Sequence, residues 1–226
     1  MSISVVILAA GCGDRIGAGQ NKVFLPIGGQ AMICHSVRAF AQLQEVDELV
    51  VVTDVREMDR MRQLLQPISA RLVFVEGGAS RRDSALAGVH AVKGDLVVVH
   101  DGARPFPSAL LIQRVLAAAQ QAGAAIPVLP VTDLLHRVNS SGNIDQDCTI
   151  ALPALVRAQT PQGFRSRLLL DCLEAAGPEI RDDATAVLQS GALVTTVPGE
   201  QTNIKITYPE DLAWAQAIAA HIKQAL

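Results

Sequence analysis

The chain has 226 residues, half of them hydrophobic and 18% charged, with 17 glycines and 11 prolines, a globular composition that predicts a single domain over residues 1–226. Aromatic residues make up 3% and the net charge is −3 with no sustained basic run, which argues against stacking along single-stranded nucleic acid and against a polyanion footprint. Four cysteines, Cys12, Cys34, Cys148 and Cys172, form no C-x-x-C pair, so neither a zinc framework nor a disulfide scaffold is indicated, and a reducing cytoplasm fits best.

The first apolar run, Ile3–Ala10, is too short to span a bilayer and has no basic segment ahead of it, so it reads as a strand over Ile3–Leu8 and not as a signal peptide. Further runs rich in Val, Ile and Leu stand at Leu49–Thr53, Leu72–Val75, Leu96–Val99, Ala125–Leu129 and Leu193–Val197. Runs without polar alternation are what strands buried on both faces require. Helical periodicity marks Met32–Leu43, Arg56–Leu65, Ser80–Val92, Ala109–Ala122, Leu168–Ala176 and Asp183–Gln189 between them. The alternation predicts a doubly wound α/β fold with a mostly parallel sheet. Val131–Leu155 breaks the rhythm: Leu134–Val138, the turn-rich Ser140–Asn143 and Cys148–Leu152 predict a projecting β-hairpin arm. At the end, Thr207 and Glu210 stand at capping-box spacing and Pro209 suits a first turn. Leu212, Trp214, Ala215, Ile218 and Ile222 then predict an apolar helical face packed back against the sheet.

In open parallel sheets the ligand sits beyond the carboxyl ends of the strands. The loop there, Ala9 to Lys22, carries Gly11, Gly13, Gly17 and Gly19, whose unshielded N–H groups can approach an anion, while Arg15 and Lys22 add two positive charges. Taken alone, it is also compatible with a solvated glycine loop. Gly11, Gly13 and Gly17 approximate a dinucleotide fingerprint, but the loop runs irregularly to Lys22 and the next strand ends only at Asp54. No Gly-x-x-x-x-Gly-Lys-Ser/Thr occurs, which excludes a P-loop.

Leu8-Ala9-Ala10-Gly11-x-Gly13-x-Arg15, followed by Lys22 and Phe24-Leu25-Pro26-Ile27, resembles the signature of nucleotidyltransferases that activate sugar or polyol phosphates. Later landmarks are Gly77-Gly78 with Arg81 and Asp83-Ser84, His100-Asp101-Gly102-Ala103-Arg104-Pro105, and Gln159-Thr160-Pro161-Gln162-Gly163-Phe164. Asp182-Asp183-Ala184 and Asn203-Ile204-Lys205-Ile206-Thr207 before Pro209-Glu210-Asp211-Leu212 complete the set. In order along nearly the whole chain, these resemble the 2-C-methyl-D-erythritol 4-phosphate cytidylyltransferase family. The resemblance implies transfer of CMP from CTP to that polyol phosphate with release of pyrophosphate, in non-mevalonate isoprenoid precursor synthesis.

Such a reaction is an attack by a phosphate oxygen on the α-phosphorus, so it needs positioning and charge stabilisation and no covalent nucleophile. A phosphomonoester, with a second pKa of about 6, needs no general base either. By resemblance, Arg15, Lys22 and Lys205 are the catalytic cations. The backbone of Ala9, Ala10, Gly78 and Ala79 surrounds cytosine together with the Ser84 hydroxyl, and Gly11 and Gly13 serve the phosphates. Asp101, Arg104, Thr160 and Lys205 hold the acceptor, Mg2+ bridges the phosphates near Asp101, and a homodimer exchanges its 131–155 arms. On the residues alone, Ser84 also suits an early helix position, Asp101 a loop-orienting role and Arg104 a structural ion pair.

The chain departs from the family pattern at three places. Asn21 replaces a proline before the loop lysine, a change expected to affect only loop stiffness. Leu134 and Leu152 stand where the family arm offers a partner subunit Thr and Arg, with Arg157 or Arg137 as candidates to compensate. These departures leave open another polyol phosphate such as ribitol 5-phosphate, or a nucleotide-binding relative without catalysis. A glycosyltransferase reading from Asp145-Gln146-Asp147 is disfavoured, because that triplet lies in the expected arm.

Overall fold

The structure of the protein, a computed structural model, describes residues 1–11, 19–149 and 155–225. Gly13, Arg15 and Leu152, together with the rest of residues 150–154 in the expected second arm strand, lie outside them. The apolar runs form β1 (Ile3–Leu8), β4 (Glu48–Thr53), β5 (Leu72–Glu76), β6 (Leu96–Asp101), β7 (Ala124–Pro130) and β12 (Thr195–Pro198). Two-residue strands β2 (Pro26–Ile27) and β3 (Gln30–Ala31) pair with each other outside the main sheet. Helices α1 (Met32–Ala41), α2 (Met58–Leu65), α3 (Arg81–Ala91) and α4 (Ala109–Ala122) alternate with the strands. Later come α5 (Ser166–Ala175), α6 (Asp183–Gln189) and α7 (Pro209–Ala225).

Side-chain alternation explains why the inner strands β1, β4 and β6 are apolar on both faces; the expectation fails at the edges, where Val73 of β5 is exposed and β12 buries only Val197. Val5 and Ile7, Leu49 and Val51, and Val98 face one core with Ile33, Val37 and Phe40 of α1, Met61 of α2 and Ile112 of α4. Val6, Val50, Val52, Val97 and Val99 face the other with Ala85 and Val89 of α3, Leu169 and Leu173 of α5 and Val187 of α6. A strand with helices on both sides has no position left for a solvated residue.

Two strands escaped the apolar pattern: β10 (Val156–Ala158) and β11 (Gln162–Arg165). The main sheet runs β10-β7-β11-β6-β1-β4-β5, with β12 on the other edge of β7. β1, β4, β5 and β6 pair in parallel, whereas β11 enters antiparallel to both β6 and β7. The start of β11 therefore points to the same edge as the carboxyl ends of β6 and β7. That brings Gln159 and Thr160 to the ligand side of the sheet.

Within the expected arm, β8 (His136–Val138) and β9 (Ile144–Thr149) form an antiparallel pair apart from the main sheet, and β9 begins four residues before the expected Cys148, directly after the Ser140–Asn143 turn. The last helix departs from expectation in two respects. Asp211, not the Thr207–Glu210 pair, caps α7, because its Oδ2 accepts the N–H groups of Thr207 and Tyr208 at 2.7 and 2.8 Å. The helix also docks beside the main sheet, with Ala215 and Ala219 in a cluster containing Ile27, Met32, Phe106 and Ile206. Trp214 consequently stays 69% exposed. Among the described residues, no helix is long and apolar enough to cross a membrane.

Candidate active site

The carboxyl end of β1 is held open by hydrogen bonds around it. Ala9 N–H donates to Val52 O at 2.8 Å, and Ala9 O accepts from Asn21 Nδ2 at 2.8 Å. Asn21 is buried; its Oδ1 accepts from Val23 N–H at 3.2 Å, capping the short turn Lys22–Phe24, and its Nδ2 also donates to Glu57 at 2.8 Å. The asparagine therefore does more than change loop stiffness: it ties the lysine-bearing turn to the strand end. Lys22 Nζ donates to Ile206 O at 2.8 Å, which aims the first loop at the segment carrying Lys205.

Opposite this loop, Gly77 and Gly78 make a tight approach. A Cβ at Gly77 would lie 2.4 Å from Ala10 Cβ, and one at Gly78 would lie 2.3 Å from Asp83 Cβ, so neither position admits a side chain without displacement. Gly78 N–H donates to Ser84 Oγ at 3.1 Å, and Ser80 caps α3 by accepting from Asp83 N–H at 3.0 Å. Ala9, Ala10, Gly11, Lys22, Gly78, Ala79, Ser84 and Asp101 thus share one cleft of about 410 Å3 with the start of α3. The expected nucleotide-side residues within the described chain line this one cleft.

Asp101, last residue of β6, lies at the centre of a cation cluster. Lys205 Nζ is 2.7 Å from Oδ2, Arg81 is 3.6 Å from Oδ1, and Arg104 Nε is 3.9 Å from Oδ2. Burial alone would push this carboxyl up, but Lys205, Arg81 and Arg104 hold it well below the ordinary carboxylate range. Arg81 in turn makes two hydrogen bonds to the fully buried Asp183, at 3.2 and 2.8 Å. Against the pull of burial, Asp183 and Asp101 raise the already high basicity of Arg81.

The residues expected to hold the acceptor are fixed by the start of β11 and by the segment before α7. Thr160 Oγ1 accepts from Asp101 N–H at 3.1 Å and lies 3.1 Å from His100 Nδ1. His100 Nε2 is 2.9 Å from Arg104 O, a partner that only accepts, so Nε2 carries the proton and Thr160 donates its hydroxyl to Nδ1. Burial pushes the His100 pKa down to about 4, keeping the ring neutral at physiological pH. Arg104 Nη1 donates to Asn203 O and Asn203 Nδ2 to Thr160 O, both at 2.8 Å. Gln159 Nε2 donates to Glu200 O at 2.8 Å, and Ile206 N–H to Ala103 O at 2.9 Å. Lys205 thus stands on a braced segment.

Beyond Lys205 opens a second cavity, of about 620 Å3, whose lining includes Arg104, Arg157, Thr202, Lys205 and Trp214. Arg81, Asp183, His100, Gln159 and Asn203 received no role from the sequence, although each stands in a quoted motif. Apart from the local His100–Arg104 contact, their partners are distant in the chain, 102 residues for Arg81 and Asp183, so no local spacing signals the pairing. Among the described residues, no three His, Cys, Asp or Glu side chains gather as a metal site.

Comparison with known proteins places this geometry in a family. The family model for IspD, 2-C-methyl-D-erythritol 4-phosphate cytidylyltransferase, matches residues 3–221. A 2-C-methyl-D-erythritol 4-phosphate cytidylyltransferase of Syntrophotalea carbinolica is 40% identical over 226 residues, covering 96% of each chain. A bifunctional IspD/IspF enzyme of Anaeromyxobacter is 43% identical over 94% of this chain, which spans 56% of that longer relative. The crystal structure of the Thermus thermophilus cytidylyltransferase superposes with a TM-score of 0.80 at 38% identity, covering 97% of this chain and all of that one. The chain belongs to the IspD, or 2-C-methyl-D-erythritol 4-phosphate cytidylyltransferase, family.

Proposed function

We propose that the protein transfers CMP from CTP to 2-C-methyl-D-erythritol 4-phosphate and releases pyrophosphate, serving isoprenoid precursor synthesis. The observation that carries this reading is the cation cluster of Lys205, Arg104 and Arg81 on Asp101, lying between the cleft beyond β1 and a second cavity joined to it at Lys205. Cytosine is read by the backbone of Ala9, Ala10, Gly78 and Ala79 and by Ser84. Gly11, Gly13, Arg15 and Lys22 hold the triphosphate, and Lys22 and Lys205 face the charge that develops as the α-phosphorus is attacked. Asp101 and Thr160 orient the acceptor, and Arg104 and Lys205 neutralise its phosphate. With His100 neutral and the acceptor phosphate largely dianionic, no proton must leave before attack.

Asp101 is the residue expected near a Mg2+ ion, which would add to the neutralisation of the triphosphate by Lys22 and Lys205. Both oxygens of Asp101 already face cations, which fits a carboxylate close to the metal but not clasping it. The exposed apolar side chains of Leu134, Val138 and Ile144 support a homodimer through the arm, and the free buried thiols of Cys34 and Cys172 support a cytoplasmic location. Replacing Val138 and Ile144 by Asp is expected to yield monomers in sedimentation equilibrium; an unchanged dimer excludes the arm as the interface. Steady-state pyrophosphate release with each acceptor tests the activity itself. No release with methylerythritol phosphate, or a marked preference for ribitol 5-phosphate, overturns the assignment.

A further inference from the structure

We propose that Arg60, on α2, is a positioning residue for Lys22: it fixes the turn that carries the lysine and so sets where the ammonium meets the triphosphate. The inference rests on the reading of Lys22 as a triphosphate cation and adds the residue that aims it.

Lys22 opens a three-residue turn, Lys22–Phe24, closed by two backbone hydrogen bonds, Phe24 N–H to Asn21 O at 3.1 Å and Leu25 N–H to Lys22 O at 3.0 Å. So short a turn holds its own shape poorly, and the family pattern places before the lysine a proline, whose φ is locked. This chain has Asn21 there, so rigidity has to come from what the turn touches. Arg60 supplies two such contacts, one on each side of the lysine. Its Nη1 donates to Gln20 Oε1 at 3.1 Å, and its guanidinium carbon lies 3.9 Å from the centre of the Phe24 ring. Stacked over the ring, the planar guanidinium keeps its edge donors directed outward, which lets one side chain make both contacts.

The helix behind Arg60 is a firm support. Met61 and Leu65 have no solvent exposure and share one core with Phe24. One helical turn before Arg60, Glu57 at the N-cap of α2 accepts from Asn21 Nδ2 at 2.8 Å. The α2 region therefore holds residues 20, 21 and 24 around Lys22. Among the described residues, none of α2 lines the cleft of about 410 Å3, so Arg60 acts through the lysine and not on the nucleotide. The ammonium of Lys22 reaches across to Ile206 O, and a shift of the turn moves it relative to Lys205.

Pyrophosphate release is measured for the wild type, Arg60→Ala, Arg60→Lys, Lys22→Ala and the double variant carrying Lys22→Ala and Arg60→Ala, with CTP affinity by calorimetry on the same proteins. Misplacing the cation is expected to lower kcat/KM for CTP about tenfold in Arg60→Ala while acceptor KM stays within about twofold of wild type. Arg60→Lys, which keeps a cation for the ring, is expected to recover part of the loss. In the Lys22→Ala background the same Arg60→Ala change is expected to cost less than about twofold, because the group it aims is gone. Equal losses in both backgrounds overturn the proposal, since a general structural defect is additive. So does an Arg60→Ala variant within about twofold of wild type, or a loss that falls on acceptor KM. A wild type that binds CTP but transfers to neither methylerythritol phosphate nor ribitol 5-phosphate fails the functional reading alone. The cycle is then read on CTP affinity, where coupling between Arg60 and Lys22 sustains the proposal and additivity removes it.

Discussion

Replacing Arg81 by Met removes the one cation hydrogen-bonded to Asp183 among the described residues, and Asp183 is a carboxylate with no solvent exposure. Breaking a buried pair from one side costs about 3–5 kcal/mol, because the charge left behind has neither water nor partner. Two hydrogen bonds, at 3.2 and 2.8 Å, are lost together, which places the expected loss within that range. The deficit depends on pH with a defined sign. Burial already pushes the Asp183 carboxyl up, Arg81 opposes the rise, and removing Arg81 carries it further. A carboxyl whose pKa is higher folded than unfolded binds its proton more tightly in the native state, so stability falls as pH rises. The deficit of Arg81→Met is therefore largest near neutrality and above, and it shrinks as pH falls toward the unfolded Asp value of about 3.9. Urea unfolding followed by circular dichroism at about pH 8 and about pH 5 measures both the size and the slope. Replacing both partners, Arg81→Met with Asp183→Leu, is expected to recover most of the loss, since the uncompensated charge is gone. A deficit below about 1 kcal/mol at both pH values, or one that grows on acidification, refutes the reasoning.

Three further expectations follow from the site. Lys22→Ala lowers kcat by roughly 10²–10³ in pyrophosphate release if its ammonium faces the developing charge, and a rate near wild type removes that role. His100, held near pKa 4 by burial, contributes stability that is complete above its unfolded value and lost as pH falls from about 6.5 through about 4, roughly 3 kcal/mol in all. Its ring resonances in NMR are expected to titrate near the lower value, and an inflection near neutrality refutes the buried neutral form. Asn21→Ala loses the cap of the Lys22–Phe24 turn and the tie to Ala9, costing about 0.5–2 kcal/mol in urea unfolding and raising the KM for CTP; a variant unchanged in both shows that the tie is dispensable.

The sequence read most clearly where one residue type answers one local demand. β1, β4 and β6 needed apolar side chains on both faces, so their runs stand out. β11 did not, because Gln162 and Gly163 meet local polar and close-packed demands while Phe164 alone carries the buried apolar load. At α7, Thr207 and Glu210 had the spacing of a cap, but Asp211 has the geometry, a competition that spacing cannot decide. Trp214 looked like core because it fits the helical period, yet small Ala215 and Ala219 make the close approach to Met32 and Phe106. The site residues that the structure brings together were legible as motifs. The Arg81–Asp183 pair and the Asn203 brace were not, since their partners meet only after the sheet has closed.

The insertion of β11 between β6 and β7 has a consequence during synthesis. The edge of Leu96–Asp101 away from β1 finds its partner only in Gln162–Arg165. At about 5–20 residues per second, a ribosome takes roughly 3–13 s to travel from one segment to the other. Throughout that interval the Val97-Val98-Val99 edge of the nascent chain is open to pairing with any extended neighbour. The strand that follows Thr160 thus also closes the open edge of β6 in the growing polypeptide.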